Sequence, residues 1–275
     1  MNTKRFLAII VVAVILLPAV AQISKTYMQI VEDAEANCMK GRWDDAEHQL
    51  QTAMRLEPDN PLNVMLMANL GMIRYYQGND SMALATLDSA HRMAPKTTVI
   101  LENRAQVLLS INRIEDAMAD YDTIITLDSL NTYSRYIRGL LHLQKGDTVA
   151  AALDFEALDR LAPDSLDTNI AWASYASYTG DWQQAERRLN RVISQDAAPE
   201  FLIERARARI HTDNLQGASD DLARVLLHHP KNAEAYLLRA RVNYLRYRFD
   251  DAAADARKAV SLGACPEEVA PYLKK

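Results

Sequence analysis

DDAEHQLQTAMRLEP at 44–58, SMALATLDSAHRMAP at 81–95 and EDAMADYDTIITLDS at 115–129 can be laid over one another. So can VAAALDFEALDRLAP at 149–163, QQAERRLNRVISQDA at 183–197, QGASDDLARVLLHHP at 216–230 and DDAAADARKAVSLGA at 250–264. The third residue is always alanine: Ala46, Ala83, Ala117, Ala151, Ala185, Ala218 and Ala252, with successive spacings of 37, 34, 34, 34, 33 and 34 residues. A fixed period of this size marks an array of stacked units rather than one globular core.

With that alanine set at position 20, position 8 is Ala34, Gly71, Ala105, Gly139, Ala173, Ala206 and Ala240. Two antiparallel helices approach closely only where both side chains at the crossing are small. Position 24 is Leu50, Leu87, Tyr121, Phe155, Leu189, Leu222 and Ala256, which fills the space beside the crossing. Position 32 is proline at Pro58, Pro95, Pro163 and Pro230, where it ends the second helix. Position 15 is Gly41, Gly78, Asn112, Gly146, Gly180 and Asp213, residues that accept a left-handed turn; Tyr247 departs from this pattern. No heptad persists between the prolines, which excludes a long coiled coil.

This pattern resembles the tetratricopeptide repeat (TPR). The resemblance covers residues 27 to about 265 and implies an all-α, right-handed α-solenoid of about seven helix–turn–helix repeats. The units fall at about 27–60, 64–97, 98–131, 132–165, 166–198, 199–232 and 233–266, with a short C-terminal cap at 267–275. Pro271 requires the final helix to be short.

The N-terminus reads differently. Lys4 and Arg5 precede an apolar run from Phe6 to Leu17, Pro18 breaks it, and Ala19-Val20-Ala21 offers a cleavage site before Gln22. Residues 1–21 are therefore expected to be a signal peptide, and the protein to be exported, periplasmic or secreted, as in Gram-negative envelopes. The alternative is retention of residues 6–23 as an inner-membrane anchor, giving a membrane-anchored assembly factor. Twelve apolar residues are short for a span, which takes about 20.

The chain is 49% hydrophobic with a formal charge of −5, too apolar for disorder and too acidic for nonspecific nucleic-acid binding. Cys38 and Cys265 form no zinc motif, no phosphate-binding loop or nucleophile elbow occurs, and neither cofactor nor metal nor enzymatic activity is expected. The two cysteines, at opposite ends of the array, are expected to remain unlinked.

The family resemblance implies a protein or peptide partner, bound in a concave groove lined by positions 2, 5, 9 and 12 of each first helix. These positions supply Met65, Met72, Tyr75, Leu109, Tyr133, Tyr136, Leu140, Arg207, Arg241 and Tyr244 as candidate groove residues. Met, Tyr and Leu give adaptable contact area, and Arg207 and Arg241 are expected to meet an acidic group of the partner. The Lys and Asn with which some family members clamp chaperone C-termini are replaced in the first repeat by Val31 and Glu35.

One further expectation comes from covariation. Position 7 is arginine at Arg104, Arg138, Arg205 and Arg239, and the same four repeats carry Asp120, Asp154, Asp221 and Asp255 at position 23. Each arginine is expected to bridge to the aspartate of its own repeat.

Overall fold

The computed structural model describes residues 25–273; the expected signal segment, its cleavage site and the alternative anchor lie outside the described residues. Among the described residues fifteen helices follow one another and there is no strand. They are α1 (Lys25–Met39), α2 (Trp43–Leu56), α3 (Asn63–Tyr76), α4 (Asp80–Met93), α5 (Thr98–Ser110), α6 (Ile114–Leu127), α7 (Thr132–Gln144) and α8 (Thr148–Leu161). Then come α9 (Leu166–Thr179), α10 (Trp182–Gln195), α11 (Pro199–His211), α12 (Leu215–His228), α13 (Ala233–Leu245), α14 (Phe249–Ser261) and α15 (Pro266–Leu273). This is an all-α repeat solenoid. The chain divides into two compact units, one ending at Ser134 and one beginning at Arg135.

In the N-terminal unit, Tyr27, Val31, Ala34 and Leu50 pack with Leu62, Leu66, Leu70 and Ile73. The three-residue insertion after α2 is fastened from both sides. The Asn63 amide donates to the backbone oxygens of Glu57 (2.7 Å) and Pro58 (3.1 Å), while its own oxygen accepts from the buried Tyr27 hydroxyl at 2.9 Å. Burial, then the Glu57 carboxylate, push the Tyr27 hydroxyl up to about 12. Cys38 is a buried free thiol and Cys265 an exposed one.

Four second helices, α4, α8, α10 and α12, start on side chains that take over orphaned backbone donors. Asn79, Asp147, Asp181 and Asn214 accept from the backbone N–H of Met82, Ala150, Gln184 and Gly217. The residue before each of these caps is left-handed, as the hairpin demands. It is glycine at Gly78, Gly146 and Gly180 (φ 79°, 80° and 81°) and Asp213 at 60°; Asn112, in the turn before α6, adopts 61°. Tyr247, which broke the sequence pattern, adopts φ 60° as well. The hairpin dictates the backbone, and the side chain bears the strain, about 1–2 kcal/mol for a residue with a Cβ. Tyr247 is 82% exposed and touches Phe249 only edge-on, with ring centroids 6.2 Å apart. Tyr247→Gly is therefore expected to stabilise the protein by roughly 0.5–1 kcal/mol, the relief of strain exceeding the lost ring contact. Urea titration of the two forms measures this, and a loss of stability would show that the Tyr247 ring does more than it costs.

All four arginine–aspartate pairs form, and each is a two-pronged fork. The Nε of Arg104, Arg138, Arg205 and Arg239 donates at 2.9 Å to one carboxylate oxygen of Asp120, Asp154, Asp221 and Asp255 respectively. Nη2 donates to the other oxygen, at 2.6 Å in the Arg138 and Arg239 pairs, 2.5 Å in the Arg205 pair, and also in the Arg104 pair. The aspartates are buried, so each fork pins the register of its two helices in a low-dielectric setting.

Repeat five reverses the device. Trp172 stands where the arginine would be and Arg188 where the aspartate would be; the guanidinium lies 5.8 Å from the indole centroid. Arg188 also pairs with Asp159 at 3.4 Å.

A second set of clips runs between neighbouring repeats. Arg74 Nε donates to Glu47 at 3.0 Å and its Nη1 to Thr86 at 2.6 Å. Arg209 Nε donates to Glu186 at 2.7 Å and its Nη1 to Asp221 at 2.8 Å. Both arginines occupy position 11, and both glutamates position 21 of the preceding repeat. The cap helix α15 runs for eight residues through Pro271 and buries Val269 against Ala256 and Ala259.

Candidate partner-binding groove

Repeating positions on the first helices carry unequal side chains, and that inequality makes a site. Positions 9 and 12 are Met72 and Tyr75, Gln106 and Leu109, Leu140 and Leu143, Arg207 and Ile210, and Arg241 and Tyr244. In repeat five they are Ser174 and Ser177. Two large side chains are thus missing from the row, and in the C-terminal unit a recess of about 570 Å³ opens there. Its floor is Ala173, Ser174 and Ser177 of α9; Leu140 and Leu143 of α7 form one wall, and Phe201, Glu200, Glu204 and Arg207 of α11 the other. Tyr178 and Trp182 stand at the α9–α10 turn. Trp182 is held flat against His211, with centroids 4.0 Å apart and planes 6° from parallel. Burial, then the Arg241 and Arg207 guanidiniums, lower the pKa of His211, which favours the neutral ring.

The expected groove residues do not share one environment. Leu140 and Arg207 line the recess. Tyr136 packs at the edge of the cluster around Phe155, and Tyr244 is 38% exposed, edge-on to Phe249 and Tyr272. Met65, Tyr75, Leu109 and Tyr133 in the N-terminal unit are half-buried. Met72 requires a correction. It is 2% exposed and packs with Ala83, Leu87, Ile100 and Val107, so it closes the seam to the next repeat and offers a ligand nothing. Ile203 and Ile210, at positions 5 and 12 on the same helix as Arg207, are likewise core residues.

The expected role of Arg207 is also revised. Its Nη2 lies 2.5 Å from Glu234 and its Nε 3.6 Å from Glu204, so carboxylates of the chain already engage it. Arg241 makes no ion pair among the described residues. Phe201, Glu204, Tyr178 and Trp182 were missed from the sequence because they lie outside the four positions per repeat that the family pattern assigns to the groove. Among the described residues no three His, Cys, Asp or Glu gather as metal ligands, and no helix is long and apolar enough to cross a membrane.

Comparison with known proteins agrees with this architecture. The tetratricopeptide-repeat family model matches residues 102–165, 170–227 and 212–268, more than half of the chain. A TPR repeat-containing thioredoxin of Arabidopsis thaliana, TTL4, is 23% identical over 216 residues, 70% of this chain and 31% of that protein. The chain spans about a third of the length of the curated relatives it matches. A crystal structure of a tetratricopeptide repeat protein from Parabacteroides merdae superposes with a TM-score of 0.70 at 30% identity, covering 91% of this chain and 98% of that one. YrrB, described as a TPR protein with an unusual peptide-binding site, superposes with a TM-score of 0.55 at 20% identity over 66% of this chain and 95% of its own. Folds of this kind serve as scaffolds for protein–protein interaction. From the repeat period, the helix pairs and these matches together, the chain belongs to the tetratricopeptide-repeat family.

Proposed function

We propose that the protein is an exported interaction scaffold that holds a peptide or protein partner against its first helices, in the recess between α7, α9 and α11. The observation that carries this is the recess itself, a pocket of about 570 Å³ whose walls come from three consecutive first helices. Its size falls within the range of about 300–1,000 Å³ usual for binding sites. The peptide-binding site named for YrrB supports the same use of the fold. Export rests on the basic head Lys4-Arg5, the apolar run 6–17 and the small residues Ala19 and Ala21.

Two measurements test the proposal. Partners captured from envelope extract are expected to be lost with Leu140→Glu and kept with Leu227→Glu, an exposed leucine of α12 outside the recess. The reverse result rules the recess out. N-terminal sequencing of the exported protein is expected to begin at Gln22; a start at Met1 would mean that the apolar segment is retained as an anchor.

A further inference from the structure

We infer that the recess is an anchor pocket for one bulky apolar side chain, aromatic or long aliphatic, followed or preceded closely by a lysine or arginine. This rests on the scaffold reading above and specifies the partner's chemistry. The first argument is shape. Ser174 and Ser177 are half-buried and stand where the preceding first helix carries Leu140 and Leu143 and the following one Arg207 and Ile210. The volume those side chains would fill is left to the ligand, between leucines on one side and Phe201 on the other. An aromatic side chain buries about 150–250 Å², a large apolar contact for one residue. The serine hydroxyls keep that floor wettable while it is empty.

The second argument is charge. The lining holds two carboxylates, Glu200 and Glu204, against one guanidinium, Arg207. Arg207 is further engaged by Glu234 at 2.5 Å. Among the described residues no cation lies within ion-pair reach of Glu200, which is exposed in the first turn of α11. The start of α11 offsets part of that charge, but Glu204, one turn further on, has only Arg207 at 3.6 Å. The rim is therefore net negative. It attracts a cationic neighbour of the anchor and disfavours the acidic group that the arginines alone would suggest.

Selection from a display library of random dodecapeptides on the full-length purified protein tests this. Enriched sequences are expected to carry Phe, Trp, Leu or Met within two residues of Lys or Arg. Ser174→Leu and Ser177→Leu should each weaken the selected peptides by at least about tenfold, because they install the side chains that Leu140 and Leu143 show this fold to accept. Circular dichroism of both variants checks that they remain folded. Glu200→Lys should weaken binding several-fold and flatten its dependence on salt. Enriched sequences that are acidic or lack a bulky apolar residue overturn the inference. So does a library with no enrichment, or serine variants that are folded and bind as wild type. If Leu140→Glu abolishes binding while the serine variants do not, the anchor pocket fails and the scaffold reading stands. If only Leu227→Glu abolishes binding, both fail.

Discussion

Asp221→Ala is expected to destabilise the C-terminal unit by about 3–5 kcal/mol, the cost of removing one partner from a buried ionic group. Asp221 is 1% exposed and accepts from two arginines. Arg205 donates Nε at 2.9 Å and Nη2 at 2.5 Å, and Arg209 donates Nη1 at 2.8 Å. Removing the carboxylate leaves Arg205 with the Asn190 side chain and Arg209 with Glu186 and the Gly217 carbonyl. Neither arginine can swing fully into water, since their side chains are only 11% and 16% exposed. Asp120→Ala should cost less, because Arg104 keeps a second carboxylate, Asp88, at 3.2 Å. Urea unfolding of the two variants side by side checks the order. A loss below about 1 kcal/mol for Asp221→Ala would place the fork among solvent-screened surface pairs. Replacing Asp221 together with Arg205 by leucines is expected to be milder than Asp221→Ala alone, because desolvation of the pair is then removed along with its attraction.

These forks show what a single repeat protein discloses in its sequence. Seven copies of one unit act as an internal alignment, so a pair of positions that change together betrays a contact. Positions 7 and 23 were legible this way. The inter-repeat clips could have been found by the same test with an offset of one repeat. Glu47 is followed by Arg74 and Glu186 by Arg209, whereas Leu84, Met118, Ala152 and Ser219 are followed by Leu108, His142, Ala176 and Asn243. Trp172 with Arg188 escapes that comparison, because cation–π exchange keeps the contact while changing both residue types. The recess was harder to read for a different reason. A list of groove positions draws attention to large side chains, yet Ser174 and Ser177 create the site by being small. Met72 misled in the opposite sense: it has the composition of an interface residue, and the adjoining repeat covers it. Position in the repeat fixes direction along the helix but not how far the next repeat overlaps it.

Phe155→Ala is expected to cost about 3–5 kcal/mol through loss of burial and the cavity left behind. Phe155 is fully buried, and it meets Trp172 at 5.9 Å and Tyr175 at 6.3 Å, both edge-on. Its seat exists because position 8 of the same repeat is Gly139. A Cβ there would lie 2.4 Å from Phe155 Cε1 and 2.9 Å from Cδ1. Gly139→Ala therefore sets two effects against each other. Alanine in a helix interior is favoured over glycine by about 0.5–1 kcal/mol, while overpacking a full core costs about 1–3 kcal/mol. The ring is boxed in by Trp172 and Tyr175 and cannot yield cheaply, so the net expectation is a loss of about 1–2 kcal/mol. The repeats themselves supply the compensating change. Positions 8 and 24 are Ala34 and Leu50, Ala173 and Leu189, and Ala206 and Leu222 in three other repeats. Gly139→Ala combined with Phe155→Leu installs that alanine–leucine pair, and its loss should fall short of the sum of the two single losses by about 1 kcal/mol. Thermal and urea unfolding of the four proteins closes the cycle. Strict additivity would mean that the helices move apart to admit the Cβ, and that the glycine is not what seats the ring.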